Sequence, residues 1–185
     1  MTEQVSVKVS NGEFGTAMLT ALRRLEDISG IKLSKVERLL LAEVGTVEQL
    51  LSILVDTPVS VKVLEQKEDS KHNIIERRVN ILTTDYILMD AESRIRMDVL
   101  PEAVVQDIRA RRLGIGSIIV KHRLETFRRI VEIGCCYSSE QGYGRKYRDA
   151  STIYRLYEIV YAGVDAFTIR EEFSSDVIRR FASLT

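Results

Sequence analysis

The sequence predicts an α+β fold with a largely antiparallel sheet, because helical patterns fill its first third and strand patterns follow. Apolar residues recur at helical spacing from Glu13 to Ile28. Ser34 and Glu37 then form a capping box, and Thr46 and Gln49 form a similar pattern before an apolar run. After position 58, apolar residues alternate with polar ones, which is typical of strands that bury one face.

The helical segments are bounded by capping residues, glycine or proline. Gly30 is a typical helix stop, and Pro101 suits a helix start because its missing N–H would have no partner there. We predict helices over Glu13–Ile28, Ser34–Ala42, Val47–Leu54 and Glu102–Arg112, with a further helical segment after Gly114.

The strand segments follow in the second part of the chain. The polar stretch from Gln66 to Asn73 is interpreted as a loop, and Ala162-Gly163 as the turn of a closing hairpin. We predict strands over Val59–Val63, Ile74–Leu82, Tyr86–Val99, Arg129–Gly134, Tyr154–Tyr161 and Asp165–Phe173.

The bulk composition is that of a soluble globular protein. Its 185 residues suffice for one substantial core, so we expect a single domain over residues 1–185. Lys and Arg total 27, as do Asp and Glu, and this balance gives no overall field for nucleic acid or an anionic membrane. No apolar run is long enough to span a bilayer and the N-terminus lacks a signal-peptide core, so we expect a cytoplasmic protein.

The cysteines and histidines do not predict a disulfide or a metal site. The only cysteines, Cys135 and Cys136, are adjacent, and normal disulfide geometry does not join neighbours. His72 and His122 are far apart in sequence and have no ligand-spaced partners. We therefore expect two half-buried, reduced thiols and no bound metal.

Two charged side chains are predicted to face the core, and the first is Arg77. In the strand over Ile74–Leu82, alternation places Arg77 on the same face as Ile75, Val79 and Ile81. A buried ion costs several kcal/mol unless it is paired, hydrogen-bonded or in contact with a ligand. An arginine in this position can hold a carboxylate with its planar fork.

The second inward charge is Glu171, which shares its face with Phe167, Ile169 and Phe173. A carboxyl among apolar side chains tends to have a raised pKa, which suits proton transfer or a hydrogen bond to a substrate hydroxyl. With Arg77 it predicts a pocket for a small molecule that has an acid at one end and a hydroxyl or ether at the other. The alternatives are edge-strand charges that reach solvent, or a mutual salt bridge without chemistry.

Two further segments have possible binding roles. Gly114-Ile115-Gly116 is either a simple loop or a helix start whose N–H groups bind a carboxylate or phosphate. The helix pair Ser34–Ala42 and Val47–Leu54 has the order of a helix-turn-helix, but its second helix contains no Arg or Lys for bases or phosphates. We therefore expect no nucleic-acid partner. The basic run at 145–148 indicates a solvated loop or, in an enzyme with a pocket, part of a lid.

Four stretches share their order and spacing with a known family. They are Arg38–Val47 followed by Val59–Gln66, Glu76–Ile81, Ala91–Pro101 continued by Gly114–Phe127, and Tyr157–Phe173. With these segments the chain resembles the chorismate pyruvate-lyase superfamily, especially its archaeal and actinobacterial branch, over most of residues 36–173.

The resemblance implies a six-stranded antiparallel sheet flanked by helices, with an internal ligand cavity. The family reaction converts chorismate to 4-hydroxybenzoate and pyruvate without a cofactor or metal, so the implied partner is a small-molecule substrate. By position, Arg77 would bind the ring carboxylate and Glu171 would contact the ring oxygen. The backbone N–H of Ile115, next to Gly116, would help to bind the carboxylate, and Val47 matches an apolar cavity residue.

Three positions differ from the family pattern. Gly114 stands where the family has proline, Arg170 replaces a threonine, and Glu158 replaces an arginine. The first two changes would alter the pocket rim or the stiffness of the backbone, and the third reverses a charge. We expect a chorismate lyase-like enzyme; the alternatives are a non-catalytic small-molecule sensor domain of the same fold, or a lyase for another enolpyruvyl ether.

Overall fold

A computed structural model describes residues 2–9, 15–138 and 151–183 of the chain. Within these ranges the chain forms one seven-stranded sheet in the order β1-β5-β6-β7-β4-β3-β2, and all neighbouring strands are antiparallel. The strands are β1 (Thr2–Lys8), β2 (Ser60–Asp69), β3 (Ile74–Leu82), β4 (Ile87–Arg96), β5 (Thr126–Ser138), β6 (Thr152–Tyr161) and β7 (Val164–Ser174). The helices in the same ranges are α1 (Thr16–Ser29), α2 (Lys35–Ala42), α3 (Val47–Leu54), α4 (Glu102–Arg109), α5 (Ile115–Lys121) and α6 (Ser175–Ala182).

The two faces of the sheet have different surroundings. Helices α1, α2 and α3 contribute to the core on the face that carries Ile75, Phe167 and Ile169, all of which are buried. On the opposite face, Arg78 is 53% exposed and lies near the carboxylates of Asp90 and Glu92. An antiparallel sheet can bury one face and hydrate the other, and this accounts for the alternation of buried and exposed residues along most of β3, β4 and β7.

The closing hairpin places β7 at the centre of the sheet. Ala162 and Gly163 have φ angles of 50° and 78°, the positive values that a tight two-residue hairpin turn requires. The other edge of β7 pairs with β4, so β7 lies between β6 and β4 in the sheet. The predicted hairpin and the α+β class with an antiparallel sheet are confirmed.

In the described part of the chain the sheet has seven strands rather than the expected six, because β1 adds an edge strand beside β5. Val5 and Val7 alternate with polar residues there, so the strand pattern was present in the sequence.

The prediction of a loop from Gln66 to Asn73 is wrong for its first half. Strand β2 continues to Asp69, and its pairing with β3 extends as far as Asp69 opposite Ile74. This strand lies at the sheet edge, where charged side chains are common because they discourage pairing with another chain.

Strand β4 departs from simple alternation at its start. Ile81 pairs with Met89 and Leu82 with Ile87, so Leu88 is an extra residue in β4. As a result, Leu88 is fully buried whereas Ile87 is 53% exposed. The strand also ends at Arg96, before a short 3₁₀ turn, and not at the predicted residue 99.

The predicted helices are present with shifted ends. The capping box of Ser34 and Glu37 is confirmed by both reciprocal hydrogen bonds, whereas Thr46 makes no side-chain cap. Helix α4 ends at Arg109, three residues earlier than predicted. The predicted start of the first helix at Glu13, with Phe14, and the basic run at 145–148 lie outside the described residues.

Cys135 and Cys136 are both free thiols, as predicted. Cys135 is more deeply buried than expected, and burial raises the pKa of its thiol to about 11. In the described part of the chain, the helices are too short or too polar to cross a membrane.

Gly134 gives a test of the packing between β5 and β6. A Cβ at this position would lie 2.3 Å from Cζ of Tyr154, a buried residue whose hydroxyl is hydrogen-bonded to Gln4 and Glu132. We expect Gly134→Ala to lower the free energy of unfolding in urea by about 1–3 kcal/mol, because the ring cannot move away without cost.

Gly45→Ala is the matched control for this substitution. Its Cβ would meet only the flexible carboxylate end of Glu43, so the unfolding free energy should change by less than about 0.5 kcal/mol. Equal urea midpoints for Gly134→Ala and the wild type would contradict the packing described for Tyr154.

Candidate functional site

A row of paired residues crosses the centre of the sheet on its helix-covered face. Arg155 of β6 pairs with Glu171 of β7, Glu171 with Ala91 of β4, and Ala91 with Val79 of β3. Opposed residues of antiparallel strands lie side by side on one face. The small side chain of Ala91 therefore leaves space between its neighbours, and this space belongs to a cavity between the sheet and helices α3 and α5.

Arg77 reaches this cavity from β3. Its side chain is 3% exposed, and Nη2 donates a hydrogen bond to the Leu113 carbonyl oxygen at 2.6 Å. Nε and Nη1 are buried and have no hydrogen-bond partner among the described residues. Burial lowers the pKa of Arg77, and nearby Arg111 adds to this effect, whereas the charge of Glu48 opposes it. Because buried donors are normally paired, these two nitrogens leave a place for an acceptor on a ligand.

Glu171 lies on a neighbouring wall of the cavity and is 3% exposed. Its Oε2 lies 2.8 Å from Nε and 2.7 Å from Nη2 of Arg155, and its Oε1 accepts a hydrogen bond from the Tyr157 hydroxyl at 2.8 Å. The surroundings of Glu171 are therefore not purely apolar, contrary to the expectation from sequence. Neither alternative interpretation fits, because Arg77 and Glu171 are buried on interior strands and do not pair with each other.

Tyr157 completes the polar group around Glu171. Burial and the charge of Glu171 raise the pKa of the Tyr157 hydroxyl well above its usual range. The phenol therefore keeps its proton at neutral pH and acts as a hydrogen-bond donor toward the carboxylate.

Arg155 also joins the site to the end of α2. It is 1% exposed, and its Nη1 donates hydrogen bonds to the carbonyl oxygens of Leu40, at 2.8 Å, and Glu43. The last carbonyls of a helix have no partner within it, and a cation there is favourable. The guanidinium of Arg155 thus donates hydrogen bonds both to the Glu171 carboxylate and to the carbonyls at the end of α2.

The remaining predicted site residues lie along the other side of the cavity. Val47 begins α3, and Ile115 begins α5, with Gly116 after it; all three line the cavity. As the first residue of α5, Ile115 has an N–H without an acceptor inside its own helix. The structure therefore brings Val47, Ile115 and Gly116 together with Arg77 and Glu171 around one space.

The three departures from the family pattern have different places in the structure. Gly114 lines the cavity. Arg170 and Glu158 do not, because each is one residue out of phase with the inward-facing positions of its strand. Cζ of Arg170 lies 3.6 Å from the ring centre of Tyr154, and Oε2 of Glu158 lies 2.5 Å from Nη2 of Arg129. The expectation that Arg170 alters the pocket rim is therefore wrong.

Three polar residues of the cavity region were missed from sequence. Arg155 and Tyr157 share a face with Ile153 and Ile159, so the alternation that selected Arg77 also places them inward. Glu48 gave no such signal, because an acidic residue in the first turn of a helix is common for reasons of helix stability alone.

Metal-ligating side chains do not cluster in the described ranges: no three His, Cys, Asp or Glu residues are placed to share an ion. The polar groups around the cavity are instead guanidinium, carboxylate, phenol and backbone N–H. Such groups recognise a small organic acid by hydrogen bonds and charge.

A protein-family model for Rv2949c-like chorismate pyruvate-lyases matches residues 38–181 of the chain. The chain belongs to this family. The resemblance seen over residues 36–173 is thereby confirmed. A comparison with curated proteins gives no match.

Solved structures of transcriptional regulators are similar to this chorismate pyruvate-lyase family member at low identity. A GntR-family regulator from Bacillus cereus has 10% identity and a TM-score of 0.39, covering 64% of this chain and 92% of that one. A putative GntR-family ligand-binding domain from Bordetella bronchiseptica has 8% identity and a TM-score of 0.38, covering 64% and 86%. The possible regulator YydK from Bacillus subtilis has 12% identity and a TM-score of 0.41, covering 88% and 79%.

The two buried arginines should have opposite effects on stability. Arg155→Met leaves Glu171 buried without its cation, and removal of one partner from a buried pair typically costs about 3–5 kcal/mol. Arg77→Met removes a cation with two unpaired donors, so we expect the free energy of unfolding to stay within about 1 kcal/mol of the wild type or to rise. Urea unfolding of both variants measures the contrast, and equal losses would show that Arg77 is held by structural bonds instead.

Proposed function

We propose that this chain is an enzyme that eliminates pyruvate from chorismate and releases 4-hydroxybenzoate. The observation that carries the proposal concerns Arg77, whose buried Nε and Nη1 have no partner among the described residues and which lines the same cavity as the acceptor Glu171. Together they suit a ring acid with a carboxylate at one end and a hydroxyl or ether at the other. Membership of the chorismate pyruvate-lyase family supports the choice of substrate.

The reaction requires few catalytic groups from the protein. A proton leaves the ring carbon that bears the hydroxyl, the neighbouring carbon–oxygen ether bond breaks, and the ring becomes aromatic. Enolpyruvate leaves and takes up a proton to become pyruvate. Because aromatisation drives the elimination, positioning of the ring and a proton carrier beside the ether are the main contributions required.

The cavity residues divide these tasks between them. Arg77 would hold the ring carboxylate through Nε and Nη1, and the N–H of Ile115 would add a third donor. Glu171 would accept a hydrogen bond from the ring hydroxyl, and the Tyr157 hydroxyl donates to its other side at Oε1. Val47 would pack against the ring.

Ligand binding without catalysis is the second candidate function. Both oxygens of Glu171 already accept hydrogen bonds, Oε1 from Tyr157 and Oε2 from Arg155. This arrangement favours a fixed acceptor over a group that exchanges protons during a reaction. A cavity of this kind can hold a hydroxylated ring acid and signal its presence without turning it over.

An assay with purified protein and chorismate separates the two functions. Formation of 4-hydroxybenzoate and pyruvate in equal amounts above the uncatalysed rate is the expected result. Folded protein that binds 4-hydroxybenzoate but forms no product would favour the binding role. Protein that neither binds nor reacts would contradict both.

Substitutions at the two charged residues assign their roles. We expect Arg77→Lys to raise KM about tenfold or more with little change in kcat, because lysine cannot replace the planar fork. Glu171→Gln should lower kcat by about 100-fold or more, provided that circular dichroism shows a folded protein.

Arg78→Lys and Glu172→Gln are matched controls, since each lies one residue away on the exposed face. The kcat and KM of both controls should stay within about twofold of the wild-type values. Equal losses in a variant and its control would remove that residue from the mechanism.

A further inference from the structure

A second carboxylate, that of Glu48, lies on the cavity wall close to Arg77. Glu48 is in the first turn of α3 and lines the cavity. Its Oε2 accepts a hydrogen bond from the Ser117 hydroxyl at 2.8 Å, and this bond fixes the carboxylate between α3 and α5. Among the described residues, Ser117 is the donor that Glu48 binds, so Oε1 keeps its capacity to accept another hydrogen bond.

Gly114 provides the space that this carboxylate occupies. A Cβ at Gly114 would lie 2.0 Å from Oε1 of Glu48 and 2.9 Å from its Cδ. The backbone angles of Gly114, φ −70° and ψ 159°, are extended values that any residue can adopt. Glycine is therefore needed here for close packing against Glu48 and not for its backbone conformation.

The charge of Glu48 acts on Arg77 without a direct bond between them. Nε and Nη1 of Arg77 stay unpaired, although Glu48 partly offsets the effect of burial on the Arg77 pKa. The Glu48 carboxylate is thus within electrostatic range of the guanidinium but leaves its donors open. A ligand carboxylate that binds these donors must lie near the half-buried Glu48, and two like charges repel each other.

We propose that Glu48 determines the charge selectivity of the cavity: it weakens the binding of a ligand carboxylate at Arg77 and offers an acceptor to a neutral head group that carries N–H or O–H. This inference rests on the proposed function, because it takes ring acids as the ligands of Arg77. Its consequence for an enzyme is a product acid that is bound loosely enough to leave.

Two probes of nearly equal shape test the proposal by isothermal titration calorimetry: 4-hydroxybenzoate, which is an anion, and 4-hydroxybenzamide, which is neutral. Glu48→Gln keeps the side-chain length and an acceptor for Ser117 but removes the charge. We expect this variant to bind 4-hydroxybenzoate about tenfold more tightly and to show no gain for 4-hydroxybenzamide. Gly114→Ala, whose Cβ displaces the Glu48 carboxylate, should shift the benzoate affinity in the same direction but add little to Glu48→Gln.

Glu76→Gln is the matched control, because Glu76 is adjacent to Arg77 in sequence but exposed on the other face of the sheet. It should leave both affinities unchanged. Unchanged or weaker benzoate binding in Glu48→Gln, or equal gains for both probes, would overturn the role of Glu48 and leave the proposed function intact. Failure of the wild type and every variant to bind 4-hydroxybenzoate would overturn the role of Glu48, and only if chorismate were also not turned over would it overturn the proposed function.

Discussion

The ion pair between Arg155 and Glu171 is the interaction on which the rest of the site depends. It lies at the centre of the sheet, where a lone carboxylate would be costly, and Arg155 is 1% exposed. The same guanidinium binds the carbonyls of Leu40 and Glu43 at the end of α2. One side chain therefore fixes the position of the cavity-facing carboxylate and that of helix α2.

Arg77 shows the opposite use of a buried cation. Only its Nη2 is satisfied, by Leu113, whereas Nε and Nη1 have no partner among the described residues. Unpaired buried donors lower stability, and sites that bind ligands commonly retain such costs because the ligand supplies the missing acceptor. Glu48 adds a nearby negative charge, so the cavity combines a buried cation with a carboxylate on its wall.

Much of this arrangement follows from alternation in the strands. The pattern in β3 and β7 selects Arg77 over its neighbour and Glu171 over its neighbour, and both are buried. The same rule applies to β6 and would have identified Arg155. Alternation could not predict the register that places Arg155 opposite Glu171, nor the hydrogen bonds that Arg155 donates to the end of α2, because both depend on contacts between distant segments. Glu48 was beyond prediction for the same reason, since its role depends on the space beside Gly114.

The most direct test of the site is an experimental structure of the protein with bound 4-hydroxybenzoate. The ligand carboxylate should lie about 2.7–3.0 Å from Nε and Nη1 of Arg77, and the ligand hydroxyl should lie within hydrogen-bond distance of Glu171. The Arg155–Glu171 pair should be unchanged. A ligand bound outside the cavity, or one whose carboxylate leaves both donors of Arg77 unpaired, would contradict the role assigned to this arginine.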